Sequence, residues 1–278
     1  MPRKSKDDNF IPWTLSEYKQ EVKHTKPKQL QPRLNRELPD ANTLDIIPYK
    51  IDKNEIKLPA MMVNDTIPKH PFRMLNSGAS GSGKSMLVLN LLKRRNFMEG
   101  FFDEIFLFSP TARGDQIQIL LDLDSDHICD DLTDSGIEQL DYIFNKQNEL
   151  IETNGYLKAP KVLIIFDDVI SSPRFMNSNV FKRCFIQGRH ISLSVIVNTQ
   201  KYHAIPRTMR LNCTDICFFP SSQSEVSRIA EEYTPPSKTV KQFTSLIDYA
   251  TSEPYNFLYI NTRARRKYRK NLGLYLDL

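Results

Sequence analysis

The sequence predicts an α/β fold, a mostly parallel central sheet flanked by helices, with an extended arm at its N-terminal end. Three observations predict it. From about residue 58, short apolar runs alternate with helix-period segments, as in chains that wind repeatedly across a sheet. Two of those runs, 161–166 and 193–198, are dominated by apolar residues, Val162–Phe166 without interruption, the pattern of parallel strands buried on both faces. A glycine-rich loop then joins the first run to the first helix.

Residues 1–57 read differently. Prolines at 2, 12, 27, 32, 39 and 48 interrupt a stretch rich in Lys, Gln and Asn, so only a helical turn or two around Trp13–Val22 is expected in a basic arm. The globular domain is expected over 58–262. Its strands are Phe72–Asn76, Glu104–Phe108, Lys161–Phe166, Leu193–Asn198, Asp215–Phe219 and Asn256–Ile260. Its helices are Ser85–Asn96, Gly136–Thr153, Phe175–Gln187, Ser224–Tyr233 and Ser237–Tyr249. Beyond them, Arg263, Arg265, Arg266, Lys267, Arg269 and Lys270 crowd into a basic tail over 263–278.

Composition excludes several classes. At 278 residues, 40% hydrophobic and 26% charged, the chain has the balance of a soluble globular protein. No stretch reaches the roughly 18 apolar residues of a membrane span, and no apolar run follows the first charges as in a secretory signal. Four cysteines show neither a CxxC pair nor zinc-like spacing with histidine, so reduced thiols are expected. The net charge of +5 is compatible with a polyanionic partner without demanding one.

The chemistry lies in three strand ends. Gly78-Ala79-Ser80-Gly81-Ser82-Gly83-Lys84-Ser85 satisfies G-x-x-x-x-G-K-[ST] between a strand and a helix, the setting a P-loop requires. Small residues let successive backbone N–H groups face phosphates, and the helix that follows adds its positive end. Lys84 is expected on the β/γ-phosphates of ATP and the Ser85 hydroxyl on Mg²⁺. The run Lys161–Phe166 delivers Asp167 and Asp168 to the sheet edge where α/β proteins bind ligands. Asp167 is expected to hold Mg²⁺ and Asp168 to orient or deprotonate an attacking water. A second acid in that place favours hydrolysis over transfer to a small acceptor. The third run ends in Thr199-Gln200, an amide able to reach a γ-phosphate or the water, with Arg189 upstream and Arg207 and Arg210 downstream.

Together, GASGSGKS, IIFDD, GRH before a strand ending NTQ, and IPRTMRLN resemble the FtsK–HerA superfamily of P-loop motors over about residues 60–262. They look most like its poxvirus-type genome-packaging branch, found across large DNA viruses and virophage-like relatives. The resemblance implies that the strand ending at Gln200 lies between the P-loop strand and the Asp167 strand, with Gln200 as a γ-phosphate sensor. It implies a homo-oligomeric ring, a hexamer or pentamer, in which a neighbour's arginine completes each ATP site; Arg189 and Arg210 are the candidates. It also implies an ATP-hydrolysing motor that moves double-stranded DNA into a preformed capsid, with capsid or other virion proteins as partners, at assembly sites in the host cytoplasm. Sequence-blind phosphate contacts are expected, the 263–270 cluster among them. One departure is that many superfamily members carry Glu where Asp168 stands, which shortens the reach of this carboxylate. Three other readings remain: a helicase or recombination ATPase, a nucleotide-switched capsid assembly factor, and a nucleoside kinase. The kinase reading meets an acidic stretch, Asp115–Asp134, where an arginine-rich lid would be expected.

Overall fold

The computed structural model describes residues 57–112 and 116–277; the arm over 1–56, with its expected turn near Trp13–Val22, lies outside the described residues. The strands are β1 (Arg73–Ser77), β2 (Glu104–Phe108), β3 (Ile128–Cys129), β4 (Val162–Asp167), β5 (Leu193–Thr199), β6 (Asp215–Phe218), β7 (Leu258–Asn261), β8 (Tyr268–Lys270) and β9 (Leu274–Tyr275). They form one nine-stranded sheet in the order β3-β2-β4-β5-β1-β6-β7-β8-β9. The pairs from β3 to β6 are parallel, and β7, β8 and β9 join antiparallel. The Gln200 strand therefore lies between the P-loop strand and the Asp167 strand, as the resemblance implies.

Each central strand divides its side chains between two cores, because successive residues point to opposite faces. Val162, Ile164 and Phe166 belong to one core, whereas Leu163 and Ile165 belong to the other. The second core is covered by helices α1 (Lys84–Lys93) and α2 (Gln116–Leu121), α1 contributing Leu87, Val88, Leu91 and Leu92. The first core is covered by α3 (Asp134–Asn154), α4 (Pro173–Asn177), α5 (Asn179–Ile186), α6 (Gln223–Tyr233) and α7 (Val240–Ala250).

Three differences from the expected elements have local causes. The single helix expected over Phe175–Gln187 is broken at Ser178, whose extended backbone ends α4 while its Oγ accepts the Phe181 N–H at 3.3 Å and caps α5. Helix α7 starts at Val240 instead of Ser237, because Thr239 and Gln242 bond reciprocally as a capping box. The segment expected as a basic tail adds β8 and β9 to the sheet. Arg269 within it is 1% exposed, its guanidinium 4.3 Å from the Tyr275 ring centroid and 5.7 Å from that of Tyr259, and it donates to the Tyr275 hydroxyl at 2.8 Å. Arginine's planar cation stacks on aromatic faces, so its charge did not forbid burial there. Arg263, Arg265, Arg266 and Lys267 stay exposed.

The four cysteines are buried and free, and burial pushes their thiols up, Cys129 to about 11 and Cys184 and Cys213 to about 12. Among the described residues no helix is long and apolar enough to cross a membrane.

Candidate nucleotide site

The loop between β1 and α1 is held from both sides. The Gly78 N–H donates to the Thr199 carbonyl at 3.1 Å and the Ala79 N–H to the Pro220 carbonyl at 3.2 Å. A Cβ on Gly78 would come within 2.5 Å of the Phe219 Cβ, so only glycine fits there. Gly83, at φ 107°, occupies a left-handed conformation that a side chain would strain, and it turns the loop directly into α1. Lys84 is thereby placed on the first helical position, 8% exposed, with its Nζ donating to the Gly78 and Ala79 carbonyls at 2.8 Å each. Burial lowers its pKa, while the charges of Asp168 and then Asp167 act to raise it.

Opposite the loop, three neighbouring strands end in a hydrogen-bonded row. Register sets Asn76 of β1 against Asn198 of β5, and Asn198 against Asp167 of β4. Asn76 Nδ2 donates to Asn198 Oδ1 at 2.9 Å, and Asn198 Nδ2 donates to Asp167 Oδ1 at 2.7 Å. This buried amide relay fixes the orientation of the first acid.

The chain then leaves the sheet at Asp168, which sits in the left-handed region at φ 50°. Its N–H donates to the Asn198 carbonyl at 3.1 Å, and its Oδ2 accepts from Gln200 Nε2 at 3.1 Å. Asp168 Oδ1 is buried without a hydrogen-bond partner, as is Ser82 Oγ in the loop. Strain and an orphaned acceptor together mark a residue held for something other than stability.

Lys84, Ser85, Asp167, Asp168 and Gln200 line one cavity of about 910 Å³, together with Ser80, Gly81 and Gly83. A mononucleotide fits a space of this size. The donor set suits Mg²⁺, which takes one or two protein oxygens and completes its shell with phosphates and water. Among the described residues no three His, Cys, Asp or Glu side chains cluster as a self-contained metal cage.

The two arginines are not brought to this cavity. Arg189 lies before the first residue of β5, and Gln200 follows its last, so this seven-residue strand, about 23 Å long, separates them. It is exposed, with Nε 3.2 Å from His190 Nε2. Arg210 is folded into its own chain: it ion-pairs with Glu232, donates to the Ile205 carbonyl at 2.6 Å and lies 4.8 Å from the Tyr202 ring centroid. Hydrogen bonding to Glu232 raises its pKa against the effect of burial. Arg210 is thus engaged within its own chain.

Sequence reasoning missed Asn76 and Asn198. Their signal is a single polar residue near the end of each apolar strand, which register alone turns into a pair. It also missed Phe219, whose ring packs under the loop, and Tyr255, which lines the same cavity.

Known proteins resemble this chain in sequence and in fold. The sequence profile of the family described as "Poxvirus A32 protein" matches residues 61–262. The protein named DNA packaging protein OPG160 of Variola virus is 28% identical over 172 residues, 60% of this chain and 60% of that protein. Its counterpart in Vaccinia virus strain Copenhagen is 28% identical over 170 residues, 59% of each. The match thus spans about three fifths of those relatives' length. Among solved structures, the genome packaging NTPase B204 of Sulfolobus turreted icosahedral virus 2 in complex with AMP superposes with a TM-score of 0.52 at 14% identity, over 74% of this chain and 98% of that one. Its complex with ATP-gammaS gives 0.51 at 16% identity, over the same shares. At such identities the likeness is one of fold.

Proposed function

The chain belongs to the poxvirus A32 protein family, and from that premise we propose that it is a Mg²⁺-dependent ATPase that translocates double-stranded DNA to package a viral genome. The observation that carries the hydrolytic part is the division of labour between two adjacent acids. Asp167 is pinned by Asn198 in the cavity that Ser85 also lines, as suits a metal ligand. Asp168 is turned out of the strand, with one oxygen on Gln200 and one without a partner.

In this reading the N–H groups of Ser80, Gly81, Gly83, Lys84 and Ser85 hold the phosphates, while those of Gly78 and Ala79 anchor the loop to the Thr199 and Pro220 carbonyls. Lys84 exchanges its two loop carbonyls for the β/γ-phosphate oxygens. Ser85 and Asp167 would hold Mg²⁺, which would supply positive charge to offset that developing on the γ-phosphoryl group. Asp168 orients the attacking water and accepts its proton, and Gln200 couples that carboxylate to the γ-phosphate. Arg189, exposed on the far edge of the sheet, is the residue available to a neighbouring subunit's site in a ring. Arg263, Arg265, Arg266 and Lys267 supply sequence-blind phosphate contacts to DNA. The relatives' name, DNA packaging protein, supports packaging as the use of this motor; virion proteins as partners and assembly sites in the host cytoplasm belong to the same proposal.

The test is steady-state ATP hydrolysis with and without linear duplex DNA, alongside Lys84→Ala. Duplex DNA should stimulate turnover, rising salt should remove the stimulation, and the Lys84→Ala chain should lack turnover in both conditions. Phosphate transfer to a nucleoside without a DNA effect would replace the motor by a kinase. Tight nucleotide binding without turnover would replace it by an assembly switch.

A further inference from the structure

The cavity extends beyond the phosphate loop, along a groove between α1 and the two loops that flank β7 and β8. Leu87 and Asn90 line it from one face of α1, and Arg94 from just past the end of that helix. Tyr255, Asn256 and Phe257 line it from the loop before β7, and Asn271 and Leu272 from the turn between β8 and β9. The last two lie beyond the 61–262 family match. These residues line the same cavity as the phosphate loop, so a nucleotide whose phosphates sit on that loop has room beside it for its base.

Tyr255 is built unusually for a surface residue. It is 70% exposed, yet its backbone holds φ 65°, a conformation that costs a bulky residue on the order of 1–3 kcal/mol. The facing turn also carries a left-handed residue, Asn271 at φ 54°. Both loops are pinned to each other by side chains. Asn271 Nδ2 donates to Asn256 Oδ1 at 2.8 Å, the Phe257 N–H donates to Asn271 Oδ1 at 3.1 Å, and Asn256 Nδ2 donates to Glu253 at 2.5 Å. The result places Tyr255 beside the phosphate loop: a Cβ on Gly83 would lie 3.4 Å from Tyr255 Cδ1. A strained, exposed aromatic ring, braced at the mouth of a phosphate site, has the chemistry of a stacking platform for a flat heterocycle.

We infer that Tyr255, held by the Asn256–Asn271 amide pair, forms the nucleobase subsite of this cavity, on which the base of a bound nucleoside triphosphate stacks. The inference rests on the nucleotide reading of the phosphate loop, and it makes Tyr255 a binding residue separate from the hydrolytic acids. Recognition by a ring face is tolerant of base identity, because every base has such a face.

Isothermal titration of the intact protein with ATPγS and with inorganic tripolyphosphate, both with Mg²⁺, separates the two. Tyr255→Ala should weaken ATPγS about tenfold while tripolyphosphate stays within about twofold of wild type, as loss of base stacking alone requires. Tyr255→Phe should bind both as wild type does, since the ring is kept, and Lys84→Ala should weaken both. If Tyr255→Ala weakens both ligands equally, the ring acts only by shaping the loop, and the subsite is overturned. If it weakens neither, the subsite is overturned while the phosphate site stands. If the wild-type protein binds neither ligand, the nucleotide reading fails and takes the subsite with it.

Discussion

Asp167 and Asp168 are chemically identical and adjacent, so the separate roles proposed for them rest on what surrounds them. Asp167 ends a strand, is buried, and accepts a hydrogen bond from Asn198, which Asn76 holds in turn. Asp168 has left the sheet, and its backbone is already in the left-handed region where Asn is among the best-tolerated residues. Asp168→Asn should therefore fold normally and keep its affinity for nucleotide, since a neutral amide preserves shape and backbone. Its turnover should fall about a hundredfold or more, the usual contribution of a positioned base. Single-turnover hydrolysis beside equilibrium binding checks this, and turnover at the wild-type rate would remove Asp168 from its role as water activator. The loop and both acids were legible in the sequence because each occupies a fixed offset within a contiguous motif. Asn198 was not, since its meaning arises only when Asn76 and Asp167 arrive at the same height from 122 and 31 residues away.

At the scale of elements, the two arginines show what spacing alone leaves open. Both flank the Gln200 strand in sequence, and both are equally cationic. The difference is made by α6, which carries Glu232 and Tyr233 into the space beside Tyr202 and gives Arg210 a partner. Pairing with Arg210 and a hydrogen bond from Tyr202 hold the Glu232 carboxyl below its usual range in spite of burial. Removing Arg210 would take the ion pair from a partly buried carboxylate and leave it the Tyr202 hydrogen bond. Arg210→Ala should cost about 2–3 kcal/mol of unfolding free energy, at or just below the range for a fully buried pair, whereas Arg189→Ala should stay within about 0.5 kcal/mol. Urea titration of the two variants distinguishes them; equal midpoints would return Arg210 to the residues free to act on a neighbour. Elements were legible where period and punctuation agreed, as at β2. They were misjudged where a single side chain decided the boundary, as Ser178 does between α4 and α5.

At the scale of the whole molecule, the sheet has two unlike halves. The parallel half bears the acids and the phosphate loop, and its long apolar runs announced it. In the antiparallel part, β7 was expected over Asn256–Ile260, but β8 and β9 were hidden: β8 is short and basic, so its charge reads as solvent, and β9 is only two residues long. Structure reverses that reading for Arg269, buried between Tyr259 and Tyr275, and for Lys270, paired with Glu253 at 3.2 Å beside the Tyr249 ring. Tyr268, which packs on Phe243 with ring centroids 5.2 Å apart, donates its hydroxyl to the Tyr233 carbonyl at 2.8 Å. The segment thus closes the core over α6 and α7 and supplies Asn271 and Leu272 to the cavity that Lys84 and Ser85 line. A solvated tail could be removed without consequence; a pair of edge strands cannot. Truncation after Thr262 should lower the thermal midpoint by about 10 °C or more, because several kcal/mol of packing and strand pairing are lost in a domain of this size. The milder double variant Tyr268→Ala, Arg269→Ala, which keeps the chain length and the exposed arginines, should shift it in the same direction. Both midpoints at the wild-type value would show that the basic segment contributes charge alone, and the nucleotide groove would then have to be completed from the parallel half.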